Sequence, residues 1–334
     1  MIDTPAVWLA FGVFVALALT IDFLTMRHQG PHRVSLREAA VWSVAWVAVS
    51  FMFVAILWWH LGGTGYDPAA RALADAKALE FVTGYLIEKA LAVDNIFVFL
   101  LVFSYFGVPP ESQKRVLMYG ILGALVLRAV MILAGAWLIA QFHWLLYVFG
   151  AFLVFTGVRM WLAVGELPDL DSNPFLRWLR RHMRVATGYD GERFVTRVNG
   201  VRKLTPLAAV IVVIGIVDVV FAVDSIPAIF AITLDPFIVL TSNVFAVLGL
   251  RALFFLVAAV HERFHLLSYG LAVVLVLIGF KLLAVDLYHV PVWLSLTATL
   301  AILVAAITLS WMYPAKEPVT SSYPFNKKPA PADG

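Results

Sequence analysis

The chain contains no cysteine. Disulfides, thiolate metal sites and a cysteine nucleophile are therefore excluded. Charge is scarce as well, with only 13% of the 334 residues being Asp, Glu, Lys or Arg. A soluble domain carries about 25%. No G-x-S-x-G, Walker or Rossmann pattern is placed where it could act. The tail after Tyr313 has little besides proline, polar residues and two adjacent lysines, so it is expected to be disordered.

What remains is apolar. Hydrophobic residues make up 62% of the chain, and the mean hydropathy is +0.92. These values define a membrane protein. Nine stretches have spanning character: 5–26, 37–60, 79–106, 114–140, 144–164, 206–233, 236–260, 266–285 and 291–313. The first lacks a basic region ahead of Pro5 and reads as a retained helix, not a cleaved signal.

The net charge of +3 says less than its distribution. With the N-terminus outside, seventeen Lys and Arg fall on the inner side, and only Arg71 and Lys77 fall outside. The positive-inside rule therefore predicts an N-out, C-in protein, which suits a bacterial inner membrane. The Arg-rich 165–203 loop is read as a solvated cytoplasmic connector, with no nucleic-acid role.

Acids lie deep inside the apolar runs, and they do so twice. Glu88-Lys-Ala-Leu-Ala-Val-Asp94-Asn95 is matched by Asp218-Val-Val-Phe-Ala-Val-Asp224-Ser225. The match continues through Leu127-Arg128-Ala129 and Leu250-Arg251-Ala252, then through Phe142-His143 and Phe264-His265. Seventeen residues after each Phe come Arg159 and Lys281. Each copy holds three spans, an odd number, so the second enters the membrane from the opposite face. That is an inverted repeat, whose sites lie near the midplane where the halves meet.

The expected organisation follows. Residues 1–78 hold two leading helices and an outer loop; 79–164 are the first repeat; 165–205 are the basic loop. Residues 206–285 are the second repeat, 286–313 the last helix and 314–334 the tail. The fold class is all-α and polytopic.

Four ionised carboxylates in a bilayer cost roughly 10 kcal/mol before compensation. A cation site is the simplest explanation. Positions six apart lie about 120° apart around a helix. Each acid pair then faces two interfaces, or its helix is interrupted, and Pro227 points to interruption after Asp224. Gly84 and Gly215 precede the first acids and suit close helix approach. Arg128 and Arg251 either pair statically with acids such as Asp94 and Asp224, or gate and balance the charge. Lys89 is a third such cation, set to pair with Glu88 or a neighbouring helix. Asp22 reads as an interfacial residue.

Carboxylates, Asn95, Ser225 and carbonyls are oxygen ligands that suit Mg²⁺, Ca²⁺ and Mn²⁺. All eight histidines lie near span ends or in loops. Thr241 and Asn243 either line the path or bond helices together. His261-Glu262-Arg263-Phe264-His265 matches the H-E-x-x-H pattern but falls in a short turn, whereas a zinc protease needs both His on one face of a continuous helix; an intramembrane protease is the third reading, and it predicts sensitivity at His261 and Glu262.

The two acidic motifs, with Thr241-Ser242-Asn243-Val-Phe and Gly249-Leu250-Arg251-Ala252, resemble the signature of TerC-family integral membrane proteins. The resemblance covers roughly 35–313, and the long form with extra leading helices and a basic loop is similar to the Alx-like branch. Where the family often has Lys-Ser-Leu-Ser before the Asp, this chain has Lys-Ala-Leu-Ala, and any ligand role of those serines goes with them. The family is named for tellurite resistance. Its resemblance implies Mn²⁺ export, with Glu88, Asp94 and Asp224 forming the metal path and Asn95, Asp218 and Ser225 beside them. The expectation is a divalent-cation exporter without a prosthetic group. It works by alternating access, and protonation of the acids allows H⁺ exchange. A membrane scaffold acting through the 165–203 loop is the rival.

Overall fold

The computed structural model describes residues 4–29, 34–163, 190–191, 193–198, 201–260, 266–288 and 290–313. Within these, the side chains of residues 26–29, 94, 97, 101, 104, 105, 198, 201, 202, 259 and 260 are outside the description.

Ten helices and one hairpin follow in order. The first five helices are α1 (Pro5–Gln29), α2 (Leu36–His60), α3 (Pro68–Phe106), α4 (Pro110–Gln141) and α5 (Leu145–Ala163). Strands β1 (Val195–Val198) and β2 (Val201–Leu204) form an antiparallel hairpin in register Val195↔Leu204 to Val198↔Val201. Then come α6 (Pro206–Phe230), α7 (Pro236–Leu248), α8 (Leu250–Val260), α9 (Leu267–Leu283) and α10 (Val292–Met312).

Local sequence explains many of the boundaries. Ser35 caps α2 by accepting from the Glu38 N–H at 3.2 Å, an S-x-x-E start. Asp235 caps α7 by accepting from Phe237 at 3.0 Å and Ile238 at 3.4 Å. Proline opens α4, α6 and α7, where the missing N–H costs nothing. Gly107 ends α3 at φ +63°, a left-handed turn that glycine makes without strain.

Outward faces are apolar. Leu9, Val13 and Leu17 on α1 are all more than half exposed, as are Val126 and Val130 on α4. Charged groups are buried instead, including Glu88, Arg128 and Asp218. Apolar outside and ionised inside is how a bundle in lipid is arranged. Six described helices are long and apolar enough to cross a membrane: α1, α2, α4, α5, α6 and α10. The pair α7–α8 makes a seventh if taken as one span. Each of the nine stretches read from the sequence is helical, but α3 and the 17-residue α9 are not in that count.

Close contacts fix the helix directions. Cβ atoms built at Gly120 and Gly135 of α4 would meet Ile214 and Phe230 of α6, so these two helices run parallel. A Cβ at Gly84 of α3 would meet Ile229, while Leu91 and Asn95 further along α3 share a cavity with the earlier Phe221 and Asp224 of α6, so α3 runs against them. The most extensive helix packing joins α5 to α9. There a Cβ on Gly150 would lie 2.9 Å from the Gly279 carbonyl, and one on Gly157 would lie 2.8 Å from that of Ala272. The offset that carries Phe142-His143 onto Phe264-His265 exchanges these two contacts.

Three expectations are corrected. Helix α6 runs unbroken through Asp224 and Pro227 to Phe230. Proline there lies three residues from the helix end, where only the bond to the Val223 carbonyl is lost. The 236–260 stretch is instead the broken one, bent by 46° between α7 and α8 at Gly249. A Cβ at Gly249 would lie 2.5 Å from the Lys89 ammonium, so the bend lets α3 approach. Asp22 is not interfacial in character: it is 8% exposed and paired with Arg251. Of the 165–203 loop, the description covers only Asp190, Gly191 and residues 193–198 and 201–203, and strands were not expected there.

Candidate cation path

Arg128 stands at the centre. It is 2% exposed, in mid-α4. Its Nε and Nη2 donate to the two oxygens of Asp218 at 2.9 and 2.8 Å, a bidentate fork. Its Nη1 donates to Glu88. One guanidinium thus joins the first acid of each copy, Glu88 on α3 and Asp218 on α6, rather than Asp94 or Asp224. Two carboxylates around one guanidinium leave the cluster one negative charge in excess. The second Glu88 oxygen has no partner and is buried.

Asp224 faces another space. A cavity of about 210 Å³ is lined by Leu91 and Asn95 of α3, by Thr156, Arg159, Met160 and Ala163 of α5, by Phe221 and Asp224 of α6, and by Leu275 of α9. Thr156 and Arg159 line this cavity beside Asp224, a hydroxyl and a cation facing the same space as its carboxylate. The structure therefore brings Asn95 and Asp224 together, one from each copy. Thr156 and Arg159 were missed as site residues. The one available signal was the matching position of Arg159 and Lys281 in the repeat.

The other expected residues are placed as follows. Asp94 lies in α3, and its side chain is outside the description. The Ser225 hydroxyl is buried without a partner. Asn243 on α7 is fully buried with both amide atoms unpartnered, an unused oxygen and nitrogen in the bundle interior. The Thr241 hydroxyl donates back to Phe237 O at 2.7 Å, so it serves its own helix. Lys89 lies 5.7 Å from the centre of the Tyr85 ring and against Gly249, a neighbouring-helix contact. Arg251 pairs with Asp22, tying α8 to α1. His261–His265 is outside the description. Among the described residues, no three His, Asp or Glu side chains converge as a metal cage.

A further cluster lies towards the start of α3. Lys77 bridges Glu80 and Asp235, each at 3.0 Å. Thr233 donates to Glu80 at 2.6 Å. Sequence reading counted Lys77 only as an outer-side cation and left Glu80, Thr233 and Asp235 unremarked, because they flank the apolar stretches, where charges are ordinary.

A lipid-facing apolar bundle with ionised groups sealed inside is a polytopic integral membrane protein. The chain belongs to the TerC family: the model described as "Integral membrane protein TerC family" matches residues 73–317. Relatives named "Putative membrane-bound redox modulator Alx" from Salmonella typhi and Escherichia coli (strain K12) are each 53% identical over 309 residues, 92% of this chain and 95% of theirs. An "Uncharacterized membrane protein STKORF319" from Myxococcus xanthus is 42% identical over 309 residues, 92% of this chain and 93% of its own. No solved structure matches.

Proposed function

We propose that the protein exports divalent metal cations, Mn²⁺ foremost, across the bacterial inner membrane, N-terminus out and C-terminus in. The observation that carries this reading is the excess charge of the Glu88–Arg128–Asp218 cluster. A buried charge of −1 in lipid demands a cation, whether a proton or a metal ion. The cluster keeps a free Glu88 oxygen, and elsewhere in the buried interior the Ser225 hydroxyl and the Asn243 amide are also without partners. Hard divalent ions prefer such donors. Manganese over calcium or magnesium comes from the family resemblance, not from these groups.

The relatives' printed name speaks of redox modulation. A chain without cysteine cannot carry out thiol–disulfide exchange itself. Moving a redox-active metal ion across the membrane shifts redox balance without any thiol.

The test is Mn²⁺ flux in proteoliposomes. Wild type should carry Mn²⁺, and Asp94→Asn and Asp224→Asn should each slow flux at least about tenfold, a loss of some 1.4 kcal/mol of transition-state stabilisation. Equal flux in wild type and in both variants, with all three folded, would overturn the reading.

A further inference from the structure

Helix α5 has two unlike faces. Gly150, Leu153 and Gly157 are buried, the two glycines against the α9 backbone. Phe155, Val158, Arg159 and Leu162 follow the i, i+3, i+4, i+7 spacing of the other face, and all four are exposed. Among the described residues, these four and Ala163 line a lateral recess of about 450 Å³. It is apolar apart from the arginine.

That arginine is out of keeping with the other spans. Asp22, Lys114, Arg128, Asp218 and Arg251 are all buried in theirs, whereas Arg159 is exposed. It makes no ion pair among the described residues. It borders the Asp224 cavity as well as the recess, yet no ion pair joins it to Asp224. A guanidinium does not lose its charge in a protein, and a bare cation against hydrocarbon is costly. Its counter-ion must come from whatever covers this face.

Depth decides what that is. Helix α5 has 19 residues, roughly 28 Å of rise, close to the thickness of a hydrocarbon core. Exposed Trp144 just before its start and exposed Trp161 near its end mark the two interfaces. Arg159 lies one turn before Ala163, the last residue of the helix. From there a long side chain extends to the level of the lipid phosphates.

We propose that Arg159 and the apolar face around it bind an anionic phospholipid. The guanidinium holds the headgroup phosphate through paired N–H donors, and Phe155, Val158 and Leu162 bed an acyl chain. A zwitterionic lipid carries its own ammonium, which competes with the arginine for the phosphate; an anionic lipid has no such competitor. In the proposed N-out, C-in orientation the site belongs to the cytoplasmic leaflet. The lipid holds in place a side chain that also borders the Asp224 cavity. None of this depends on which ion, if any, the protein carries.

Native mass spectrometry of the full chain in detergent reads the site, because bound lipids and extra copies appear as separate masses. Phosphatidylglycerol and phosphatidylethanolamine are added in equal amounts. The first phosphatidylglycerol should bind about fivefold more tightly, the worth of one basic side chain at an anionic surface. Arg159→Gln should bring the two lipids to parity, and Arg159→Lys should keep most of the preference. Arg193→Gln, which removes an exposed cation beside the hairpin, should leave it unchanged. Ala163→Glu serves where Arg159→Gln folds poorly. It keeps the arginine but sets a carboxylate one turn away, an internal counter-ion that should also abolish the preference. Parity in wild type, an undiminished preference in both Arg159→Gln and Ala163→Glu, or an equal loss in Arg193→Gln would overturn the proposal. So would a dimer mass in place of lipid adducts, because a second copy would then cover the face.

Discussion

Arg128 decides more than any other residue in the chain. Its guanidinium satisfies both Asp218 oxygens and one oxygen of Glu88 while almost wholly buried. Removing one partner of a buried ionic cluster costs about 3–5 kcal/mol, chiefly because the charges left behind are uncompensated. Arg128→Met should therefore lower thermal stability in detergent sharply. Combined with Glu88→Gln and Asp218→Asn it should regain most of that loss, because no unpaired charge remains, yet stay unable to carry Mn²⁺. Recovered stability with recovered transport would show the cluster to be structural only. The acids themselves were plain in the sequence, because a carboxylate in an apolar run stands out against its cost. The partner choice was not. Arg128 is 40 residues from Glu88 and 90 from Asp218, and only helix packing selects the first acid of each copy over the second. Thr156 was hidden for a similar reason: a threonine on a spanning helix carries no cost that would mark it.

At the scale of the element, most helices were legible because apolar runs of spanning length admit little else in a bilayer. Their interruptions were not. Pro227 marked a break that α6 does not make, and Gly249 made one that nothing in the sequence marked. Proline weakens one bond, and a helix within a turn of its end tolerates that. Glycine at 249 bends because Lys89 and Trp46 crowd against it from α3 and α2. The same distinction between local signal and tertiary crowding gives a measurable contrast. A Cβ at Gly150 would lie 2.9 Å from a backbone carbonyl of α9, whereas one at Gly123 would meet nothing within 4 Å. Gly150→Ala should destabilise the protein by about 1–3 kcal/mol, as overpacking against backbone does. Gly123→Ala should be neutral or gain up to about 1 kcal/mol from helix propensity. Melting temperatures of the two variants check this, and equal shifts would mean that the α5–α9 crossing is not tight.

Across the whole molecule, the charge of the cluster bears on the proposed transport cycle. Empty, the Glu88–Arg128–Asp218 group carries −1; with a divalent ion it carries +1; with one proton it is neutral. Reorienting a bare −1 through lipid is costly, and a proton removes that cost. The return of the empty carrier is then expected to take a proton, so metal leaves as protons enter. With the proposed N-out, C-in topology, acid outside should accelerate Mn²⁺ export, and reversing the gradient should slow it. A protonophore should abolish the difference. The measurement is Mn²⁺ flux in vesicles with the voltage clamped by potassium and valinomycin, so that the pH gradient acts alone. Glu88→Gln makes the argument sharper. It leaves Arg128 and Asp218 as a neutral pair, which needs no proton to return and holds a metal ion weakly. Any residual flux in that variant should be indifferent to the pH gradient. Residual flux that still follows the gradient would place the coupling proton elsewhere, and Asp224, beside Arg159, would be the next carboxylate to neutralise.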